Sequence, residues 1–210
     1  MRDKQQSWKF AEDAVVERED IAATRRHALE LGVESVSPAV GAQLAVIAAA
    51  TGAKQLIEIG TGAGVSALWM LAGAPDATLT SIDVELDHQT VARTALTDAG
   101  VPSGRIRLIC GLAAEVLPRM NEGSYDVVLV DADPGSVIEH VEHGLRLVRR
   151  GGVVLVPHAL WRDRVADPAQ RDDVVSAYRT LLAETAQSPA MIAALSTAGD
   201  GLLQLVKTGD

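Results

Sequence analysis

The sequence predicts an α/β fold, a mostly parallel sheet with helices on both faces, and three observations carry that expectation. Short apolar runs at residues 55–59, 78–82, 107–110, 125–130 and 153–156 alternate with segments of helical character. The first run leads directly into Gly60-Thr61-Gly62-Ala63-Gly64 and another helical stretch, the opening of a βαβ unit. The chain has 210 residues, 48% hydrophobic and 22% charged, enough for one sizeable core, and no linker or repeat divides it. A single domain over residues 1–210 is expected, with residues 1–35 as a helical N-terminal cover.

Taken in order, residues 8–31 carry Trp8, Ala11, Val15, Ile21 and Leu29 among charges at helical spacing, which predicts one or two amphipathic helices. Met1-Arg2-Asp3 and the polar residues after it run into that segment, so no export signal is expected there. Ser37-Pro38-Ala39 offers a cap followed by proline at the first helical position, opening an apolar helix that Thr51-Gly52 ends. That helix is too short to span a bilayer. Helices are expected over residues 85–99, 137–149 and 171–186, and residues 191–196 and 202–206 form a hairpin around Ala198-Gly199-Asp200-Gly201. An antiparallel edge pair follows. The mixed charges of residues 162–167 read as a solvated loop.

Charge and composition narrow the function classes. The formal net charge is -9 and only 3% of residues are aromatic, so neither a phosphate-binding surface nor a platform for stacking bases is expected. Cys110 is the single cysteine; it is expected as a buried small side chain, and a cytoplasmic location follows from the lack of any disulfide framework.

The glycine run has the room to bring backbone close to a ligand at a helix N-terminus. Val65 stands where the dinucleotide fingerprint needs a third glycine, so a NAD or FAD pyrophosphate site fits incompletely. Asp83 ends the next strand, where it can accept from ribose hydroxyls or cap the helix that follows. Glu58, flanked by Ile57 and Ile59, needs donors to offset its desolvation: a ligand cation, backbone amides or an internal arginine.

The stretch from Glu58 through Gly60, Gly62 and Gly64 to Ser66, then Ile82-Asp83, then Val130-Asp131-Ala132-Asp133, resembles the successive motifs of class I S-adenosylmethionine-dependent O-methyltransferases. The closest branch is the small bacterial catechol- and caffeoyl-CoA-type family. That resemblance implies a seven-stranded Rossmann-like sheet in the order 3-2-1-4-5-7-6 with strand 7 antiparallel. It further implies S-adenosyl-L-methionine as cofactor, with Glu58, Gly60, Thr61 and Gly62 near its methionine part and Ser66 at its carboxylate. Asp83 and Val84 would take the ribose and adenine side, Val36 the sulfonium region, and Ala113 and Glu115 the approach to adenine. The resemblance also implies a homodimer acting on a small hydroxylated acceptor, aromatic in the catechol-type members.

Asp131 closes the strand at residues 125–130, and its family counterpart binds both a divalent ion and the region near the cofactor. Asp133 follows it, and either acid can instead cap the next helix. The family's Asp-Asn metal pair falls here on Pro157 and His158, and its lysine on Pro134. Proline has no ligating side chain, and an imidazole suits transition metals better than magnesium, so no metal ligands are assigned. His158 becomes the candidate base beside Asp131. Trp161 covers an acceptor or packs beneath the loop, while His88, His140 and His143 read as ordinary helix positions. The expectation is an O-methyltransferase without the usual magnesium site; the alternative is a noncatalytic sensor or scaffold that binds S-adenosylmethionine or S-adenosylhomocysteine.

Overall fold

Seven strands, β1 (Gln55–Ile59), β2 (Thr78–Asp83), β3 (Ile106–Cys110), β4 (Tyr125–Val130), β5 (Val148–Pro157), β6 (Met191–Ser196) and β7 (Leu202–Lys207), form one sheet in the computed structural model, which describes residues 4–209. Met1-Arg2-Asp3, read above as leading into the first helix, lie outside the described residues. The strand order is β3-β2-β1-β4-β5-β7-β6. β1 pairs in parallel with β2 and β4, and β7 runs antiparallel to both β5 and β6. This is the order and the strand direction that the resemblance implied.

Among the described residues eight α-helices flank the sheet: α1 (Lys4–Asp13), α2 (Glu19–Glu30), α3 (Pro38–Ala50), α4 (Val65–Gly73), α5 (Leu86–Asp98), the short α6 (Ala113–Val116), α7 (Val137–Leu147) and α8 (Asp173–Gln187). Side chains alternate across the strands and so feed two cores. Leu56, Leu79, Val127, Leu129 and Leu155 pack against Leu44 of α3 and Leu68 and Met70 of α4. Ile57, Ile59, Val128, Val130 and Val154 pack on the other face with Val141 of α7 and Tyr178 and Leu181 of α8. Glu58 therefore projects toward the α3–α4 layer. Ser37 caps α3, its Oγ accepting from the Val40 N–H at 3.3 Å.

Two sequence expectations are corrected. The helix expected over residues 137–149 ends at Leu147, because Val148 takes extended backbone and pairs with Tyr125 as the start of β5. Cys110 is exposed rather than buried: it is the last residue of β3, an edge strand. The segment at residues 162–167 is also tied down more than a solvated loop would be. Arg179 of α8 donates to the carbonyls of Val165, Asp167 and Gln170 at 3.0, 2.5 and 2.7 Å.

The N-terminal helix reaches the far end of the chain. Glu12 of α1 accepts from the Ser37 hydroxyl at 3.0 Å, the Ala39 N–H at 3.1 Å and the Gly199 N–H at 2.6 Å. One carboxylate thus ties the start of α3 to the β6–β7 turn.

Candidate functional site

The carboxyl ends of β1, β2 and β4 meet at the glycine loop. Gly60 donates to the Ile82 carbonyl at 2.8 Å, and Asp131 donates to the Ile59 carbonyl at 2.8 Å. Gly60 has φ +97°, and a Cβ placed there would lie 1.8 Å from the Asp131 carbonyl oxygen, so only glycine lets the two strand ends close up. Asp83 fastens the loop from β2: its Oδ2 accepts from the N–H groups of Thr61 at 2.8 Å and Gly62 at 3.0 Å. Its Oδ1 accepts from the Glu85 N–H at 2.9 Å, one residue ahead of α5, so it makes a local turn rather than capping inside the helix. A carboxylate offers about four lone-pair sites, so capacity for further donors remains.

Glu58 is fully buried, and its partners are neither backbone amides nor an arginine. Oε1 accepts from the Ser81 hydroxyl at 2.7 Å and Oε2 from the Ser66 hydroxyl at 2.8 Å, while Thr61 Oγ1 lies 2.6 Å from Ser81 Oγ. Burial pushes its carboxyl up to about 8; the two serine bonds oppose the shift, and the charges of Asp131 and Asp83 add to it.

Three adjoining cavities open over this sheet edge. The largest, about 580 Å³, is lined by Gly60, Gly62, Asp83, Val84, Ala113 and Asp131 among the sequence-predicted residues. The second, about 220 Å³, adds Val36, Thr61 and Ser66, with His158 and Trp161 on its far wall. The third, about 410 Å³, runs on from His158 past Glu34, Arg162 and Asp200. Glu58 lines none of the three and touches the second only through Ser66. Glu115 is likewise absent from the walls, where Leu112 and Ala114 stand instead.

At the junction of the second and third cavities, His158 Nε2 is 3.8 Å from Asp131 Oδ1 and His158 Nδ1 is 3.6 Å from Asp200 Oδ2. Burial pushes the Asp131 carboxyl up, opposed by His158 and reinforced by Glu34. The backbone here is unusual, since His158, Trp161, Arg162 and Asp163 all have φ between +46° and +61°. Each such residue costs roughly 1 kcal/mol, so neighbours must hold the turn. They do: Arg162 N–H donates to both oxygens of Asp200 at 2.7 and 2.8 Å, Leu160 N–H donates to the Asp200 carbonyl at 2.9 Å, and Arg162 pairs with Glu34 at 3.1 Å. Trp161 stacks on Tyr178 with ring centroids 5.8 Å apart while still lining the second cavity, so it both packs and faces the site.

Sequence reasoning missed Asp200, Glu34 and two histidines. His88, read as an ordinary helix position, lines the largest cavity 3.5 Å from Asp83. His140, read the same way, is buried against that cavity. The only signal for Asp200 was its place between two glycines in the hairpin turn; its partner Arg162 is 38 residues away in sequence.

The O-methyltransferase family matches residues 9–208. An inferred O-methyltransferase from Mycobacterium ulcerans is 45% identical over 198 residues, 94% of this chain and 88% of its own length. A protein structure from Corynebacterium glutamicum superposes with a TM-score of 0.89 at 27% identity, over 98% of this chain and 97% of that one. The O-methyltransferase TomG of Streptomyces achromogenes, crystallised with S-adenosylmethionine, superposes with a TM-score of 0.82 at 28% identity, over 99% of this chain and 100% of that one. Nothing in these likenesses supports the noncatalytic sensor or scaffold. The chain belongs to the O-methyltransferase family and is an enzyme dependent on S-adenosyl-L-methionine.

Proposed function

We propose that this enzyme methylates a hydroxyl of a small acceptor without a divalent ion, with His158 as the base. The observation that carries the reading is the end of β5: Pro157 and His158 stand there, and the imidazole lies between Asp131 and Asp200 where two cavities meet. A hard cation needs several converging oxygen donors. Pro157 has none to give, and among the described residues no three acidic, histidine or cysteine side chains converge as a metal cage. The donor set does not fit magnesium.

The residues present do fit the cofactor. A cavity of about 580 Å³ suits a ligand of that size, and Gly60 and Gly62 give it a wall of backbone without side chains. In this reading Asp83 takes the ribose hydroxyls with its spare lone pairs, while Val84 and Ala113 border the adenine. Ser66 and the opening amides of α4 face the carboxylate, Gly60, Thr61 and Gly62 the methionine chain, and Val36 the sulfonium region. Glu58 holds Ser66 in place from behind. The bound cofactor supplies an electrophilic methyl group on sulfur.

The protein's own work is at the acceptor. Asp200 stands on the Nδ1 side of the ring at 3.6 Å, and Nε2 faces Asp131 where the two cavities meet. Nε2 takes the proton of the acceptor O–H and Asp131 orients the hydroxyl; the cofactor would supply the methyl group, its sulfur–methyl bond breaking as the oxygen–methyl bond forms and S-adenosylhomocysteine leaving. Burial pushes the Tyr178 phenol well above its ordinary value, so that ring stays protonated and serves to stack Trp161. Trp161 lines the second cavity, which supports an aromatic ring on the acceptor. A homodimer, a cytoplasmic location and a single folding unit with residues 1–35 as its cover belong to the same proposal. Among the described residues no helix is long and apolar enough to cross a membrane.

The test is turnover on a panel of small phenols before and after chelation. Methyl transfer that survives chelation is expected; activity abolished by the chelator and restored by magnesium overturns the metal-free mechanism.

A further inference from the structure

We propose that Glu58 is a positioning residue for the cofactor: the proton it holds turns the Ser66 hydroxyl outward, as a donor to the cofactor's carboxylate, and loss of that proton turns the hydroxyl back. Four side chains form one continuous hydrogen-bonded chain. Thr61 Oγ1 lies 2.6 Å from Ser81 Oγ, Ser81 Oγ lies 2.7 Å from Glu58 Oε1, and Glu58 Oε2 lies 2.8 Å from Ser66 Oγ. Thr61 and Ser66, the two ends, both line the second cavity, whereas Glu58 and Ser81 between them are fully buried. Three links join these groups, and each link holds one hydrogen. With Glu58 ionised the three hydroxyls supply all three hydrogens, so Ser66 donates inward and has only lone pairs left for a ligand. With Glu58 protonated there are four hydrogens for three links, and a hydroxyl at one end must point its hydrogen elsewhere. Thr61 is 2% exposed and its hydroxyl has no other partner among the described residues, while Ser66 is 7% exposed on the first turn of α4. The surplus hydrogen therefore falls to Ser66, beside the amides that open that helix.

The surroundings keep the proton on Glu58 near neutrality. Glu58 stands in register with Ser81 of β2 and Leu129 of β4, and α3 and α4, which pack on this face, carry no titratable side chain. The charged groups that act on it are both acids, Asp131 after β4 and Asp83 at the end of β2. Burial pushes the carboxyl up to about 8, and these two charges add to the shift against the serine bonds. Holding Ser66 in place needs only a hydrogen bond, which either form of Glu58 makes. The direction in which Ser66 donates depends on the proton alone, and that separates positioning from simple packing.

The inference rests on the cofactor placement proposed above. Calorimetric titration with the deamino analogue of S-adenosylhomocysteine tests it, since that ligand keeps the carboxylate and lacks the amine that would titrate in the same range. Wild-type affinity is expected to fall on the order of tenfold or more between about pH 6.5 and about pH 9.5. Glu58→Gln should reduce that fall to within about twofold, because an amide N–H supplies the fourth hydrogen at every pH. Parallel profiles in the two proteins, or a wild-type profile without a fall, overturn the inference. Ser66→Ala separates the two failures. If it binds like wild type below about pH 7, the carboxylate lies elsewhere and the placement is wrong; if it binds weakly while the other two profiles run parallel, only the role of Glu58 falls. Should the glutamine variant not fold, the wild type decides. Binding at about pH 9 is expected to take up nearly one proton with the deamino analogue and none with methylthioadenosine, which lacks the carboxylate as well; equal uptake with both overturns the inference.

Discussion

The two ends of the cleft are built by different means. At the cofactor end the ends of β1, β2 and β4 are joined main chain to main chain, and the glycine loop's own N–H groups donate to the Asp83 carboxylate of the neighbouring strand. At the acceptor end the turn after β5 is held by side chains from distant segments: Asp200 of the β6–β7 turn, Glu34 ahead of α3, and Arg179 of α8. The first end is fixed by strand spacing together with one carboxylate, Asp83, on the neighbouring strand. The second is held by exchangeable side chains over a left-handed backbone, which leaves acceptor choice free to vary while the cofactor site stays the same.

That contrast is sharpest if reaction and stability fail separately. His158→Ala should lower kcat about 10²–10⁴-fold, the usual range for a lost general base, with S-adenosylhomocysteine affinity unchanged. A smaller drop would move the proton elsewhere and weaken the division. Gly60→Ala should do the reverse, because the new Cβ has no space beside the Asp131 carbonyl. A stability loss of roughly 3 kcal/mol in urea unfolding is expected, and near wild-type stability would mean that the strand ends are not closed by main chain.

A third, pH-dependent effect concerns Glu58. Its folded pKa is raised from an ordinary 4.5 to about 8, so the native state holds the proton more tightly than the unfolded chain does. The stability linked to that proton is complete below the unfolded value and is lost as pH rises through about 8. Thermal melting of the ligand-free wild type should therefore decline between about pH 5 and about pH 9 more steeply than that of Glu58→Gln. Parallel curves would show that Glu58 is already ionised and that the cofactor end is electrostatically tuned rather than simply closed.

The same division governs what was legible in the sequence. Strand alternation, the glycine run and the acids at strand ends are local patterns, so the sheet, its edge and residues such as Gly60, Asp83 and Asp131 could be read in advance. Local reading placed Glu58 in the core but not its partners, since Ser66 and Ser81 gain meaning only once α4 and β2 are packed beside it. Cys110 was misread for a related reason: an apolar run states that a strand is stabilised by burial, not that it lies at an edge. His140 was passed over because its helix spacing was ordinary, and only the cavity beside it sets it apart. Asp200 needed a pairing with Arg162, 38 residues earlier, for which sequence has no short-range signature.

The edge position of β3 has a practical side. Cys110 is the chain's single thiol, it is exposed, and it lies in register opposite Asp83 on β2. Its sulfur sits 3.6 Å from the carbonyl of Val84, which borders the largest cavity. A fluorophore attached there would stand at the rim of the cofactor cleft without any cysteine having been added or removed. The native chain thus comes with its own labelling point for following ligand entry in real time.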